Sequence, residues 1–155
     1  MSTTIIAIRH AKPKSEGYAD ERLRPLHDEG IATQRAMAQL IADKGYSPNS
    51  IYSSPILRAV QTAEILAEKF SLSVNQTEAL GYGLDRAALL SLIPPPDKNQ
   101  ALVLVGHAPN LAEFINDLVG DIVLPEGLSK SGAAILSFNE QPGIGKATFV
   151  EYLKP

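Results

Sequence analysis

Two apolar runs along the chain are continuous rather than alternating. Residues 3–8, Thr-Thr-Ile-Ile-Ala-Ile, are β-branched and apolar at consecutive positions and stop abruptly at Arg9-His10. Residues 102–105, Leu-Val-Leu-Val, behave the same way and stop, through Gly106, at His107. Consecutive apolar positions leave no polar face, so both runs predict strands covered on both sides, as in a sheet between layers of helices. Residues 50–53 predict a shorter strand and residues 73–76 a weaker one. Residues 133–138 and 147–153 alternate more and predict strands nearer an edge.

Between these runs the apolar positions recur at steps of three and four. Ile56, Val60, Ala63, Leu66 and Phe70 fall on one helical face. Ser54-Pro55 supplies a start for that helix, a capping hydroxyl followed by a proline at the first helical position. Ala108-Pro109-Asn110 repeats the device before Leu111, Phe114, Ile115 and Leu118. A third helix is predicted over residues 28–44, closed by Gly45, and a short fourth over residues 85–93, ended by Pro94-Pro95-Pro96.

Strands alternating with helices predict an α/β fold, a three-layer sandwich with a largely parallel central sheet flanked by helices and right-handed crossovers. Ligands of such sheets bind beyond the carboxyl ends of the strands, where this reading puts Arg9, His10, Gly106 and His107. The irregular residues 11–27 form a long connection for a compact domain, and long connections often carry function.

Composition narrows the chemistry. At 155 residues, 45% of them apolar, the chain is expected to form a single domain over residues 1–155 with a two-sided core. Seventeen acidic residues against fourteen basic give a net charge of −3. No general positive field exists to gather nucleic acid or anionic lipid, so neither is expected as a partner. The absence of cysteine excludes disulfides, thiolate metal sites and thiol nucleophiles. Met1 to Ile8 carries no basic leader, and the longest apolar run, residues 101–105, is too short to cross a bilayer. A cytoplasmic location is expected.

Arg9-His10 and His107 leave two strands in the same manner, and Arg58 stands in the first turn of the helix opened by Ser54-Pro55. If the three elements are neighbours, two guanidinium groups and two imidazoles converge near helix amino termini, where backbone N–H groups already favour an anion. The arginine fork matches phosphoryl oxygens two at a time. Neighbouring positive charge opposes protonation of an adjacent imidazole and so keeps a ring lone pair available for attack. Other polar residues have simpler readings. His27 is expected as an exposed helix-end residue and residues 20–24 as a solvated loop face. Tyr18 and Tyr82 are candidates for the mouth of the site.

Arg9-His10-Ala11-Lys12, Ser53-Ser54-Pro55-Ile56-Leu57-Arg58-Ala59-Val60-Gln61-Thr62-Ala63 and Val105-Gly106-His107-Ala108-Pro109-Asn110-Leu111 resemble the three signatures of the histidine phosphatase superfamily. The short chain, Arg24-Pro25-Leu26 and Leu128-Ser129-Lys130-Ser131-Gly132 are similar to its SixA-type phosphohistidine phosphatases. The likeness runs from about Ile5 to Phe138. It implies a phosphoglycerate mutase-like fold and makes His10 the nucleophile that becomes phosphorylated. Arg9, Arg58 and His107 would hold the phosphoryl oxygens, with Ala108 counted among the phosphate-binding positions. Two departures stand out. Larger members carry small polar residues after the first histidine, where this chain has Ala11, Lys12 and Pro13. Mutase-like members carry a glutamate proton donor in a segment that corresponds loosely to residues 77–81, which makes Glu78 the candidate acid and Asp85 a weaker alternative.

The resemblance implies a metal-independent hydrolase with no cofactor, acting on phosphohistidine of a partner protein such as a histidine phosphotransfer domain, or on a small phosphomonoester. Rival readings are a metal hydrolase, a nucleotide-binding or receiver-like switch, and a non-catalytic phosphate-binding module. The metal reading lacks a His-Glu-x-x-His or comparable spacing, and the nucleotide reading lacks a glycine-rich phosphate loop after any strand. The short segment over residues 78–100 predicts an open pocket without a lid.

Overall fold

The fold is that of a computed structural model, which describes residues 1–15 and 17–155. Its strands are β1 (Thr3–Arg9), β2 (Ser50–Ser53), β3 (Val74–Gln76), β4 (Gln100–Gly106), β5 (Ala133–Phe138) and β6 (Thr148–Leu153). The helices are α1 (Asp28–Asp43), α2 (Leu57–Phe70), α3 (Arg86–Leu92) and α4 (Asn110–Val119). The strands form one sheet in the order β3-β2-β4-β1-β5-β6. β3, β2, β4 and β1 run parallel, whereas β5 pairs antiparallel with both β1 and β6. The predicted sandwich is therefore present, with a mixed sheet whose site-bearing half is parallel.

Strand alternation sorts the core into two layers. Ile5 and Ala7 of β1 and Leu102 and Leu104 of β4 face α3 and α4, packing with Leu89, Leu111, Phe114 and Leu118. Ile6, Ile8, Val103 and Val105 face α1 and α2, packing with Met37, Ile41, Ala63 and Leu66. Every one of these side chains is essentially removed from water. This is why β1 and β4 read as unbroken apolar runs: each of their two faces meets a helical layer. β5 is also buried along most of its length and is not an edge strand; β6 is the edge.

The helix boundaries correct one expectation. α2 begins at Leu57, with Ile56 as its cap position and no side-chain capping bond. The Ser54 hydroxyl does accept from the Ile56 N–H (3.2 Å), but it closes a turn ahead of the helix and is used elsewhere. α4 likewise begins after its proline, with Pro109 in the cap position. α1 and α3 carry side-chain caps that the sequence reading did not include. His27 Nδ1 accepts from Glu29 N–H (3.0 Å), and Asp85 Oδ1 from Ala88 N–H (3.1 Å). Gly45 closes α1 with φ +90°, donating to Ala42 O.

Residues 11–15 and 17–27 hold no α-helix, only a 3-10 turn at Glu21–Leu23, and are tied down at their base; residue 16 lies outside the described residues. His27 N–H donates to Lys12 O (2.9 Å) and Lys14 N–H to Pro25 O (2.9 Å), with an isolated bridge between Pro13 and Leu26. Gly30 permits this approach: a Cβ there would sit 2.2 Å from Lys12 O. Among the described residues no helix is long and apolar enough to cross a membrane.

Candidate active site

Sheet register brings the three motifs together. Arg9 is paired with Gly106, and Ser53 with Val105, so the carboxyl ends of β1, β2 and β4 lie side by side. His10 N–H donates to Gly106 O (3.0 Å), and Ser54 N–H to Val105 O (3.0 Å), which carries the register past the strand ends. The His10 and His107 rings stand 5.2 Å apart, centroid to centroid, and Arg58 reaches over from the first turn of α2. Arg9, His10, Arg58, His107 and Ala108 all line one open pocket of about 320 Å³, with Pro13, Arg24, Tyr82 and Lys130.

Each histidine ring is held by a specific contact, and that of His10 fixes its tautomer. His10 Nδ1 lies 2.8 Å from its neighbour's carbonyl, Ala11 O. A carbonyl can only accept, so Nδ1 carries the proton and the Nε2 lone pair is left unengaged. The Ser54 hydroxyl, which accepts from Ile56 N–H, lies 2.8 Å from His107 Nε2 and orients that ring, as donor or acceptor. His107 Nδ1 is buried with no partner among the described residues.

Burial and charge keep both rings neutral. His10 is pulled down to a pKa of about 3, mainly by lost hydration. The Ala11 carbonyl resists that shift, and the charges of His107, Arg58 and Arg9 add to it. His107 is lowered to about 4, again first by burial and then by Arg58 and Arg9. A neutral imidazole with a bound Nδ1–H is the form of histidine that can act as a nucleophile.

The arginines are aimed by main-chain contacts. Arg9 Nη1 donates to Leu128 O (3.1 Å) and Arg58 Nη1 to Glu21 O (3.0 Å), while the Nε of each is buried without a partner among the described residues. Arg58 Nη2 donates to the Tyr82 hydroxyl at 2.6 Å, and the Tyr82 ring stands 5.0 Å from that of His107. Buried donors that the protein leaves unpaired, gathered with guanidinium groups, suit an oxyanion with several acceptor oxygens.

Glu78 does not join this group. It sits in a 3-10 turn, Glu78–Leu80, and its side chain is 79% exposed, with one oxygen 3.6 Å from Arg22 Nη2. It is not among the residues that line the pocket. Asp85 is exposed and occupied as the cap of α3. Lys12 pairs with Glu29 (2.7 Å) on the surface, away from the pocket. Tyr82 is at the mouth as expected, whereas Tyr18 lines a separate depression with Lys14, Ser15, His27 and Asp28. His27 is half-buried rather than exposed and serves as the α1 cap. The expectation of a purely solvated face at residues 20–24 is corrected too. Glu21 supplies the carbonyl that holds Arg58, and the Arg24 side chain, 14% exposed, lines the pocket.

Two supporting hydroxyls were not singled out from the sequence. Thr62 Oγ1 accepts from Ala11 N–H (3.0 Å) and donates to Arg58 O (2.7 Å), tying the residue after His10 to α2. Ser54 fixes His107. Both stand inside the second motif, and the signal that could have found them is a hydroxyl at a position where the helical pattern predicts burial. Among the described residues no cluster of three or more His, Cys, Asp or Glu has metal-binding geometry.

Known proteins resemble this chain in sequence and in fold. The family model for the histidine phosphatase superfamily (branch 1) matches residues 5–81. An uncharacterized protein of Picosynechococcus sp. is 35% identical over 103 residues, a stretch covering 63% of this chain and 61% of that relative. The crystal structure of a candidate phosphohistidine phosphatase SixA from Agrobacterium tumefaciens superposes with a TM-score of 0.80 at 27% identity, covering 98% of each chain. Phosphoglycerate mutase from Plasmodium falciparum shares the fold at 15% identity, with a TM-score of 0.72 over 97% of this chain and 89% of the other. With three motifs in order, their strand ends in register and the sandwich of those structures around them, the chain belongs to the histidine phosphatase superfamily.

Proposed function

We propose that the protein is a phosphatase that passes a phosphoryl group through His10 to water, and that its substrate is phosphohistidine on a partner protein. The observation that carries this reading is the His10 ring: buried, neutral, with Nδ1 bound to Ala11 O and Nε2 free, facing two arginines. In the first step the Nε2 lone pair attacks phosphorus. The bond from phosphorus to the leaving nitrogen breaks, and its electron pair stays on the departing imidazole, which leaves neutral or takes up a proton. Arg9, Arg58 and His107 meet the three peripheral oxygens, and Ala108 lines the same wall just ahead of α4. In the second step water attacks phosphorus, the pair of the P–Nε2 bond returns to His10, and the water proton leaves to solvent with inorganic phosphate released. Positioning and charge neutralisation supply the acceleration, as is general for phosphoryl transfer.

The substrate side of the reading rests on the open pocket and on Glu78. A departing imidazole depends less on an enzyme acid than an alkoxide does, and the one glutamate that the family likeness offers is turned to Arg22 at the surface. The shared fold with phosphoglycerate mutase keeps a small phosphomonoester as the second reading. The test is to react the protein with a labelled phosphohistidine peptide, quench, and map the label. An acid-labile, alkali-stable phosphoramidate on His10, absent in His10→Ala, is expected. Label on another residue, or full turnover by His10→Ala, defeats the covalent reading. A wide preference for alkyl phosphates that Glu78→Gln removes defeats the substrate reading.

A further inference from the structure

The pocket holds more positive charge than a phosphoryl group requires. Arg9, Arg24, Arg58 and Lys130 all line it, and no carboxylate does so among the described residues. Arg24 is compensated, its Nη2 lying 3.0 Å from Glu21 Oε1. Arg9 and Arg58 match the charge of a phosphoryl group, which carries roughly −1.5 to −2 near neutral pH. Lys130 is left over: among the described residues its ammonium makes no ion pair and no hydrogen bond.

Its placement is built rather than incidental. Ser131, the next residue, is fully buried in the left-handed region with φ +62° and donates its N–H to Arg9 O (3.0 Å). Ser129, the previous one, donates its N–H to the Tyr152 hydroxyl (2.7 Å), and Gly132 N–H closes back on Ser129 O (2.8 Å). Two anchored neighbours thus fix the Lys130 backbone beside the residue that precedes the nucleophile, while its side chain stays exposed at the pocket wall. A flexible stem carrying one hydrated point charge suits a second anion at the edge of the site better than it suits the planar oxygen pairs of the phosphoryl group.

We infer that Lys130 is a specificity residue that reads a carboxylate next to the phosphoryl group of the substrate. This rests on the phosphatase reading above. The carboxylate has two sources, an acidic side chain flanking phosphohistidine in a partner protein or the acid group of a small phosphoester. Their shared chemistry is what Lys130 recognises.

Two substrate pairs separate the sources: a phosphohistidine peptide with flanking Glu against the same peptide with Gln, and 3-phosphoglycerate against glycerol 3-phosphate. The quantity read is the ratio of kcat/KM within each pair, for wild type, Lys130→Met and Lys130→Glu, with circular dichroism as the folding control. Wild type is expected to favour the carboxylate member of one pair by about two- to five-fold, the scale of a single exposed charge pair. The ratio should fall to near one in Lys130→Met, invert in Lys130→Glu and shrink with added salt. The pair in which this happens identifies the source. A wild-type ratio of one in both pairs, or a preference that survives Lys130→Met, overturns the inference. If neither peptide is turned over, the phosphohistidine reading falls while the small esters still decide Lys130; if all four substrates are inert, both readings fall.

Discussion

Replacing Thr62 with valine removes one hydroxyl and keeps the shape of the side chain, so its effect can be worked from two hydrogen bonds. Thr62 and Ala11 are both fully buried, and the Ala11 N–H has the Thr62 oxygen as its acceptor at 3.0 Å. In Thr62→Val that N–H is left unpaired away from water, at a cost of about 1–3 kcal/mol. The hydroxyl also donates to Arg58 O at 2.7 Å, but that carbonyl belongs to α2, so its loss adds little. The expected net loss is about 2 kcal/mol, or roughly 4–8 °C in Tm for a chain of this length. Thr62→Ser is the control. It keeps both hydrogen bonds and gives up one buried methyl group, at about 1 kcal/mol. The chain has no tryptophan, so urea unfolding is best followed by far-ultraviolet circular dichroism. A functional effect accompanies the loss of stability, because Ala11, the residue that Thr62 anchors through its N–H, also carries the carbonyl that binds His10 Nδ1. Turnover should fall about ten-fold in Thr62→Val with KM less affected, the response expected when a nucleophile is slackened rather than removed. A Thr62→Val protein within about 0.5 kcal/mol of wild type, or more stable than Thr62→Ser, would refute the reasoning.

Four further outcomes follow from the site. Nitrogen-15 NMR of labelled histidine should show the His10 ring neutral from pH 8 down to about pH 4, since its folded pKa is about 3; a midpoint near the ordinary value of about 6.5 contradicts the burial argument. Because His10 and His107 take up protons less readily folded than unfolded, the unfolded chain binds more protons below pH 6.5. Stability should therefore fall as pH drops from there toward 3, by at most about 1.4 kcal/mol per pH unit for each ring, read from urea midpoints. Tyr82→Phe frees one arm of Arg58 and should lower turnover about three- to ten-fold while leaving the fold intact, as the residue is half exposed; wild-type turnover would mean that the 2.6 Å bond does not aim the guanidinium. Glu78→Gln should change turnover of phosphohistidine peptide by less than about two-fold, whereas a loss beyond about ten-fold would make Glu78 the proton donor.

The sequence by itself determined the layers of this protein and which polar groups gather at its candidate site. β1 and β4 are apolar at consecutive positions because each of their faces meets helices, and that requirement is written in adjacent residues. α1 and α2 follow from three-and-four spacing, and His10, Arg9, Arg58 and His107 from motifs that end strands or open a helix. These are local properties, set by a residue and its near neighbours. Tertiary structure decided what depends on partners distant in the chain. The antiparallel insertion of β5 between β1 and β6 has no local signature, since strand direction is fixed by how the chain returns to the sheet. Ser54 reads locally as a helix cap, yet its hydroxyl serves a ring 53 residues away. Glu21 and Arg24 read as solvated, yet one carbonyl and one guanidinium turn inward because Arg58 and the pocket wall meet them there. Glu78 stands in the expected segment, but its side chain lies at the surface beside Arg22, outside the pocket lining. A side chain's chemistry is carried by its own atoms; its tautomer, its pKa and the direction it faces are set by what the fold packs against it.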